Sequence, residues 1–117
     1  LYLEARDLAR IWHLFLRDGS WNGARIVSQD WVRASVTPVV STGAQPNAAK
    51  YGLKWWLYAD PRDATRFVWS GSGFGGQFPI AFPELDMVVV INAWNILPGS
   101  PSLHMGKTMA RLSKAAR

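Results

Sequence analysis

The chain has 117 residues, of which 49% are hydrophobic and 18% are charged, a composition typical of one small globular domain rather than a disordered or fibrous chain. It contains no cysteine, which excludes disulfide frameworks, thiolate metal sites and a cysteine nucleophile. Four basic residues without an acidic one in residues 101–117 account for most of the net charge of +5. We interpret them as the solvated face of a terminal helix, and we expect no nucleic-acid partner.

The first third of the sequence predicts two helices. Apolar residues recur at helical spacing from Leu8 to Phe15 and predict an amphipathic helix. This helix is expected to end at Asp18-Gly19, because glycine accepts the left-handed conformation that closes a helix. Ser28 is a suitable N-cap for a short second helix, which is expected to end before Pro38. Residues 38–50 are small, polar and aperiodic, and they predict a loop.

Beyond this loop the hydrophobic period changes to two, which is typical of strands. Pro79 falls inside one of the predicted strands and cannot donate to a ladder, so its nitrogen is expected to face away from a partner strand or to lie at a bulge. The longest aliphatic run, Met87–Ile91, is far shorter than the about 20 residues of a membrane span. The four predicted strands are Tyr51–Tyr58, Arg66–Ser70, Gln77–Phe82 and Met87–Ala93.

A terminal helix is predicted to start at Ser100-Pro101, in the preferred order of cap and first-turn proline. The connections between the strands are short enough for hairpins, so the fold class is α+β, with an antiparallel sheet of about four strands flanked by helices. The strand Met87–Ala93 is apolar throughout and is expected to be buried on both faces.

Two local matches to cofactor motifs fail in context. Gly71–Gly76 fits G-x-G-x-x-G, but a dinucleotide site needs a following helix and the residues after Gly76 alternate as a strand. Gly106-Lys107-Thr108 lacks the earlier glycine of a phosphate loop, because that position is Pro101. The two histidines, His13 and His104, lie on different predicted helices without a metal-binding pattern. The sequence therefore predicts no cofactor and no metal.

The aromatic and glycine-rich residues allow more than one interpretation. The seven tryptophans are compatible with core packing, with the wall of a cleft or with a sugar-binding platform. Trp55 and Trp56 point to opposite faces of a strand, so at most one of them enters the main core, and Trp69 is the better cleft candidate. The glycine run 71–76 is equally compatible with backbone N–H groups that face a ligand and with a plain hairpin.

Four blocks of the sequence, in order and at matching spacing, resemble the C-terminal part of the serine β-lactamase-related hydrolases, the group of class C β-lactamases, esterases and 6-aminohexanoate-dimer hydrolases. The blocks are Trp21-Asn22-Gly23-Ala24-Arg25-Ile26-Val27 with Trp31-Val32, Tyr51-Gly52-Leu53-Lys54-Trp55-Trp56, Ser70-Gly71-Ser72-Gly73-Phe74-Gly75-Gly76-Gln77 and Pro83-Glu84-Leu85-Asp86-Met87-Val88-Val89-Val90.

The resemblance implies a penicillin-binding-protein-like fold and a serine nucleophile from Ser-x-x-Lys, assisted by a tyrosine from Tyr-x-Asn. Neither motif occurs in these 117 residues. We therefore expect residues 1–117 to be a single partial domain whose nucleophile segment lies upstream, so that the chain alone is inactive. A start inside a helix, without Met or an N-cap residue, agrees with this expectation.

The third motif of the family, Lys-Thr-Gly, corresponds to Gly71-Ser72-Gly73. The resemblance implies that Ser72 lines the pocket and that the Phe74 amide is the oxyanion donor, with Trp69, Gly71, Gly73 and Gly75 at the substrate. A register two residues earlier, Trp69-Ser70-Gly71 with the Ser72 amide as donor, stays open. The motif lysine is missing, which favours a neutral ester, amide or peptide-like substrate over β-lactams.

Two function hypotheses follow. The first is the serine hydrolase with a small-molecule substrate; the second is a non-catalytic, Trp-rich module that binds sugars or peptides. A partial domain would expose the strand Met87–Ala93 and the helix face of Met105, Met109 and Leu112, so we expect self-association or a retained N-terminal part of the same protein. Relatives in this family are often bacterial and exported, which slightly favours a periplasmic or secreted protein.

Overall fold

The computed structural model describes residues 3–43, 49–101 and 103–116. The helices and strands within them are α1 (Ala5–Leu16), β1 (Ser20–Trp21), β2 (Ala24–Arg25), α2 (Gln29–Ser35), β3 (Val40–Ser41), β4 (Lys50–Tyr51), β5 (Trp56–Asp60), β6 (Asp63–Ser70), β7 (Phe78–Phe82), β8 (Met87–Ile91) and α3 (Met105–Ala115). A single 3₁₀ turn, Pro83–Leu85, connects β7 to β8.

Six strands form one antiparallel sheet in the order β3-β4-β5-β6-β7-β8, so every strand pairs with its neighbour in sequence. β1 and β2 form a separate two-stranded hairpin. The α+β class is therefore confirmed, with six strands in the main sheet instead of about four. The extra strands β3 and β4 have two residues each, which is too short to produce a period-two pattern.

The two long helices lie on opposite faces of this sheet. On one face Met109 of α3 packs with Val68, Ile80 and Phe82 in a cluster of fully buried side chains. On the other face α1 lies against β7 and β8, and Trp12 and Phe15 contact Trp55 with ring centroids 4.7 Å apart in both pairs. The fold thus has three layers, with the strand residues alternating between the α3 face and the α1 face.

The start of the chain folds as its sequence predicts. α1 ends at Leu16, and Gly19 follows with a φ of 84°, a left-handed conformation that glycine adopts without strain. The N–H of Gly19 donates to the carbonyl of Leu14 over 2.8 Å and closes the helix. Ser28 caps α2, because its hydroxyl oxygen accepts from the N–H of Trp31.

The predicted strand Tyr51–Tyr58 is wrong as one element. The chain turns back between β4 and β5, where Lys54 has a φ of 79° and the N–H of Gly52 donates to the carbonyl of Trp55. β4 and β5 then pair with each other, so the alternation in the sequence spans two strands and a tight turn. The predicted loop 38–50 contains β3 and the first residue of β4, and its residues 44–48 lie outside the described residues.

The last helix starts later than Ser100-Pro101 predicted. α3 begins at Met105, and the imidazole Nδ1 of His104 accepts from the N–H of Lys107 as its cap. Its apolar face is not exposed, because Met109 is fully buried and Met105 and Leu112 pack against the sheet. The basic residues of this helix that lie within the described residues, Lys107, Arg111 and Lys114, are exposed as expected.

β8 is the outer strand of the main sheet, next to β7. All five of its residues are half-buried, so the prediction of a strand buried on both faces is wrong. Among the described residues, the strand has a pairing neighbour on one side only. Within residues 3–43, 49–101 and 103–116, no helix is both long and apolar enough to cross a membrane.

Candidate functional site at the glycine hairpin

The glycine run forms the hairpin between β6 and β7. The N–H of Gly71 donates to the carbonyl of Pro79 over 3.0 Å, and that of Gly73 donates to Gln77 over 2.8 Å. A turn closes the hairpin, with the N–H of Gly76 on the carbonyl of Gly73 and a φ of 83° at Gly75. This is the pattern of a type II turn, in which the third residue needs a positive φ.

A second segment supports the hairpin from the other side. The residues after β8 continue alongside the turn, and the N–H groups of Ala93 and Asn95 donate to the carbonyls of Gly76 and Gly75 over 3.1 and 2.8 Å. The side-chain nitrogen Nε2 of Gln77 also donates to the carbonyl of Ala93 over 2.7 Å. The glycine turn is therefore held by hydrogen bonds on both of its sides, although three of its four residues have no side chain.

Pro79 lies in the middle of the sheet, and the expectation for its nitrogen is wrong. Its carbonyl accepts from Gly71, and the nitrogen and carbonyl of one strand residue point to the same neighbour. The nitrogen of Pro79 therefore faces β6 at a position where a ladder would place a donor for the carbonyl of Gly71. The hydroxyl of Ser70 lies 2.7 Å from that carbonyl and 3.1 Å from the carbonyl of Pro79.

Two backbone donors at the end of β6 point away from β7. Alternate residues of a strand direct their N–H groups to opposite sides, and Gly71 and Gly73 use theirs toward β7. The N–H groups of Ser72 and Phe74 face the opposite side, the side of β5. β5 begins at Trp56, which pairs with Ser70, so it does not extend as far as Ser72 or Phe74. Neither N–H forms a hydrogen bond within the part of the chain that the structure describes. The glycine hairpin thus offers, just beyond the end of β6, two free donors on the side that faces away from β7.

A cleft of about 470 Å³ lies directly beside this strand end. Gly71 and Gly73 leave its floor without side chains, α1 forms one wall, and Trp94 stands opposite with 76% of its surface exposed. The described residues that line the cleft are Leu3, Leu8, Trp12, Gly71, Ser72, Gly73, Gln77, Pro79, Asn92 and Trp94.

Trp12 is fixed in this wall by an aromatic cluster. It meets Trp55 edge to face, and Trp55 contacts Trp69 with ring centroids 6.2 Å apart. A Cβ atom on Gly71 would lie 3.1 Å from Cζ2 of Trp12. Because real Cβ contacts are rarely this short, only glycine at position 71 lets the indole pack directly on the strand.

The residues proposed from the sequence occupy different parts of this site. Ser72 is exposed and lines the cleft with Gly71 and Gly73. Phe74 is 84% exposed at the tip of the turn, and Gly75 lines a smaller neighbouring cleft of about 220 Å³. Trp69 is half-buried between Leu57 and Ala81 and does not line the main cleft.

Sequence reasoning missed Trp12 and Trp94 as cleft residues. Trp12 was placed in the apolar stripe of the first helix, and Trp94 lies after the last predicted strand. Neither position carries a local signal, because both reach the cleft only through long-range packing of α1 and of the segment after β8 on the glycine hairpin.

The cleft is electrically neutral. None of the described residues that line it carries a formal charge, and the two groups with shifted pKa values are outside it. Burial raises the pKa of the Tyr58 phenol, and hydrogen bonds from the Thr65 hydroxyl and N–H lower the pKa of Asp63. Within the described ranges, no group of three or more acidic or histidine side chains is placed to hold a metal.

The antiparallel sheet between two helix layers is a fold found in a solved structure. A solved structure from Bacillus anthracis, assigned as a 6-aminohexanoate-dimer hydrolase, matches 96% of this chain with a TM-score of 0.71 at 24% identity. A 6-aminohexanoate-dimer hydrolase of Paenarthrobacter ureafaciens is 34% identical over 99 residues, which cover 77% of this chain. No protein-family model matches the chain.

The chain is similar in sequence to part of one 6-aminohexanoate-dimer hydrolase and shares the fold of part of another. The resemblance identified from the four sequence blocks is thereby confirmed. The chain spans about a quarter of the length of these relatives, 24% of the P. ureafaciens protein and 28% of the B. anthracis chain.

Proposed function

We propose that this chain is the C-terminal part of a serine hydrolase that cleaves an ester, amide or peptide-like bond through an acyl-enzyme. The observation that carries the proposal is the pair of free N–H groups of Ser72 and Phe74, which face away from β7 beside a cleft. Donors fixed in this way stabilise the negative charge that develops on a carbonyl oxygen during acyl transfer. The similarity to a 6-aminohexanoate-dimer hydrolase supports the same reaction class.

In this proposal the N–H of Phe74 is the oxyanion donor, and Ser72 lines the pocket. Gly71, Gly73 and Gly75 keep side chains away from the substrate, and Trp69 supports the strand from within the sheet. The nucleophilic serine and its lysine belong to a segment upstream of Leu1. The 117 residues alone are then inactive, because they hold none of the groups that attack the carbonyl.

The uncharged cleft supports a neutral substrate. A charged group that entered it would lose water without meeting an opposite charge, which is unfavourable. The glycines at 71 and 73 stand where the family has a cation and a small residue, and the lining residues Leu8, Trp12 and Trp94 supply apolar contacts instead. An aliphatic ester or amide without a charge near the scissile bond fits these surroundings.

The oxyanion role can be tested by removing one N–H group. Phe74 is the second residue of the type II turn, a position that proline favours, so Phe74→Pro removes the donor and keeps the turn. Phe74→Ala is the matched control, which removes the side chain and keeps the N–H. In the full-length protein we expect Phe74→Pro to lower kcat for a nitrophenyl ester by about 10²–10³-fold.

Phe74→Ala is expected to leave kcat within about 3-fold of the unmodified protein, because the side chain is 84% exposed. Equal activity of the two variants contradicts the role of the Phe74 N–H. If Ser72→Pro then abolishes turnover, the donor is the Ser72 amide and the earlier register is correct.

A serine-reactive phosphonate separates the hydrolase from a binding module. We expect it to label the full-length protein on one serine outside these 117 residues and to abolish ester hydrolysis. A label on a serine within the 117 residues contradicts the upstream nucleophile. Absence of labelling, together with saturable quenching of tryptophan fluorescence by a sugar or peptide, supports the binding module instead. The exposed ring of Trp94, which lines the cleft, favours that second function.

The open edge of β8 supports a protein partner. Its five half-buried apolar residues present one side without a neighbouring strand among the described residues, and such edges pair readily with other chains. We therefore infer that the 117 residues alone self-associate, or that they stay bound to the N-terminal part of the same protein. Light scattering that shows a monomer stable over days contradicts both.

A further inference from the structure

We propose that Ser70 is a positioning residue of this site, whose hydroxyl takes the place of the hydrogen bond that Pro79 cannot donate and fixes the peptide between Gly71 and Ser72. For its catalytic consequence the inference rests on the proposed function in the register where the Ser72 amide is the oxyanion donor, but the geometry concerns the hairpin alone. Ser70 is fully buried at the end of β6 and does not line the cleft.

The hydroxyl of Ser70 is placed where the ladder is incomplete. Gly71 and Pro79 stand opposite each other, and two such residues normally exchange two hydrogen bonds. Only the bond from the N–H of Gly71 to Pro79 forms, over 3.0 Å, because proline has no N–H. The Ser70 hydroxyl instead lies 2.7 Å from the carbonyl of Gly71 and 3.1 Å from that of Pro79, and its one proton goes to the nearer carbonyl.

This bond determines the direction of the Ser72 N–H. The carbonyl of Gly71 and the N–H of Ser72 belong to one planar trans peptide, so they point in opposite directions. When the carbonyl is held toward Ser70 and β7, the N–H must face the open edge beyond β5. The next turn of the hairpin repeats this arrangement, because the carbonyl of Gly73 accepts from Gly76 and the N–H of Phe74 faces outward.

Glycine at 71 makes such a restraint necessary. A glycine peptide rotates more freely than any other, and without the Ser70 hydroxyl the Gly71–Pro79 pair would be held by a single hydrogen bond. The carbonyl of Gly71 would then be free to turn, and the Ser72 N–H would turn with it. Loss of the hydroxyl is therefore expected to affect the rate of acyl transfer more than the binding of substrate.

The experiment uses Ser70→Ala, Pro79→Ala and the double variant in the full-length protein. Ser70→Ala removes the donor, and we expect kcat for a nitrophenyl ester to fall about 10-fold with KM within about 2-fold. Pro79→Ala restores an N–H opposite the carbonyl of Gly71, so the double variant is expected to recover kcat to within about 3-fold of the unmodified protein. A residue that only fills space would not be rescued in this way.

Ser70→Cys provides a variant of nearly the same volume if Ser70→Ala fails to fold. A thiol is a weak donor, so we expect a kcat between those of the unmodified protein and Ser70→Ala. Unchanged kcat in Ser70→Cys and Ser70→Ala overturns the inference. Failure of Pro79→Ala to rescue a folded Ser70→Ala variant overturns it as well.

Amide hydrogen exchange separates this inference from the proposed function. In the unmodified chain we expect the Gly71 amide to be protected and the Ser72 amide to exchange freely, since only the first forms a hydrogen bond. Ser70→Ala is expected to lower the protection of Gly71, and the double variant to restore it. That result supports the inference even if the full-length protein hydrolyses nothing, whereas unchanged protection in Ser70→Ala refutes it.

Discussion

Replacement of Gly19 by alanine should destabilise the fold much more than the same replacement at Gly23. Both glycines have a left-handed backbone, with φ values of 84° and 80°, so alanine meets the same conformational cost of about 1–2 kcal/mol at either position. The surroundings differ. A Cβ on Gly19 would lie 2.2 Å from the carbonyl oxygen of Val27, whereas one on Gly23 would have no atom within 4 Å.

The Val27 carbonyl would have to move by about 1 Å to reach an ordinary contact. This movement is opposed by the hydrogen bonds that hold residues 26 and 27 against Gly19, in which the N–H groups of Ile26 and Val27 donate to the Gly19 carbonyl over 2.8 and 3.0 Å. Overpacking of this kind costs about 1–3 kcal/mol. The total for Gly19→Ala is then about 2–4 kcal/mol, against about 1 kcal/mol for Gly23→Ala, once the smaller entropy of the unfolded alanine chain is subtracted.

Thermal and urea unfolding followed by circular dichroism would measure this difference. For a chain of this size, about 1 kcal/mol corresponds to roughly 4 °C in Tm, so Gly19→Ala should lower Tm by about 8–16 °C and Gly23→Ala by about 4 °C. Equal losses at the two positions would refute the steric argument, because they would leave only the backbone conformation as the cause.

Three further substitutions test other parts of the structure. Gly71→Ala places a Cβ 3.1 Å from Trp12 Cζ2 and 3.1 Å from Pro79 Cγ, so we expect a loss of about 1–2 kcal/mol in urea unfolding and a lower kcat/KM in the full-length protein. Thr65→Val removes the hydroxyl that lowers the pKa of Asp63, so that pKa should rise in an NMR titration. An acidic group with a lowered pKa contributes stability at pH values above its unfolded-state pKa, and this contribution is lost as the pH falls. Thr65→Val should therefore also reduce the loss of stability in acid. Burial raises the pKa of Tyr58 above its ordinary value of 10.0, so stability should fall as the pH rises above about 10, and Tyr58→Phe should show a smaller fall.

The features that could be predicted from the sequence are those that depend on residues close together along the chain. The end of α1 at Gly19 and the Ser28 cap follow from local backbone chemistry, and both lie where they were expected. The predicted start of α3 was wrong because Ser100-Pro101 and His104 can both cap a helix, and the packing of Met109 on the sheet decides between them. The strand Tyr51–Tyr58 was wrong because a turn with a left-handed Lys54 leaves no composition signal.

The candidate site could be predicted only in part for the same reason. The glycine run was identified from its own residues, but its supports come from elsewhere in the chain. Trp12 arrives from α1, and Ala93 and Asn95 arrive from the segment after β8. The role of Ser70 depends on its position across from Pro79, which is known only once β6 and β7 are paired.

The position of α1 in the chain has a consequence for synthesis on the ribosome. This helix is made before the sheet, yet it packs on β7 and β8, which begin at Phe78 and Met87. About 60 residues must be translated before β7 can meet the helix, which takes roughly 3–12 s at about 5–20 residues per second. During those seconds the apolar stripe that carries Trp12 has no sheet to cover it, so the nascent chain is most prone to aggregation before its last strands emerge.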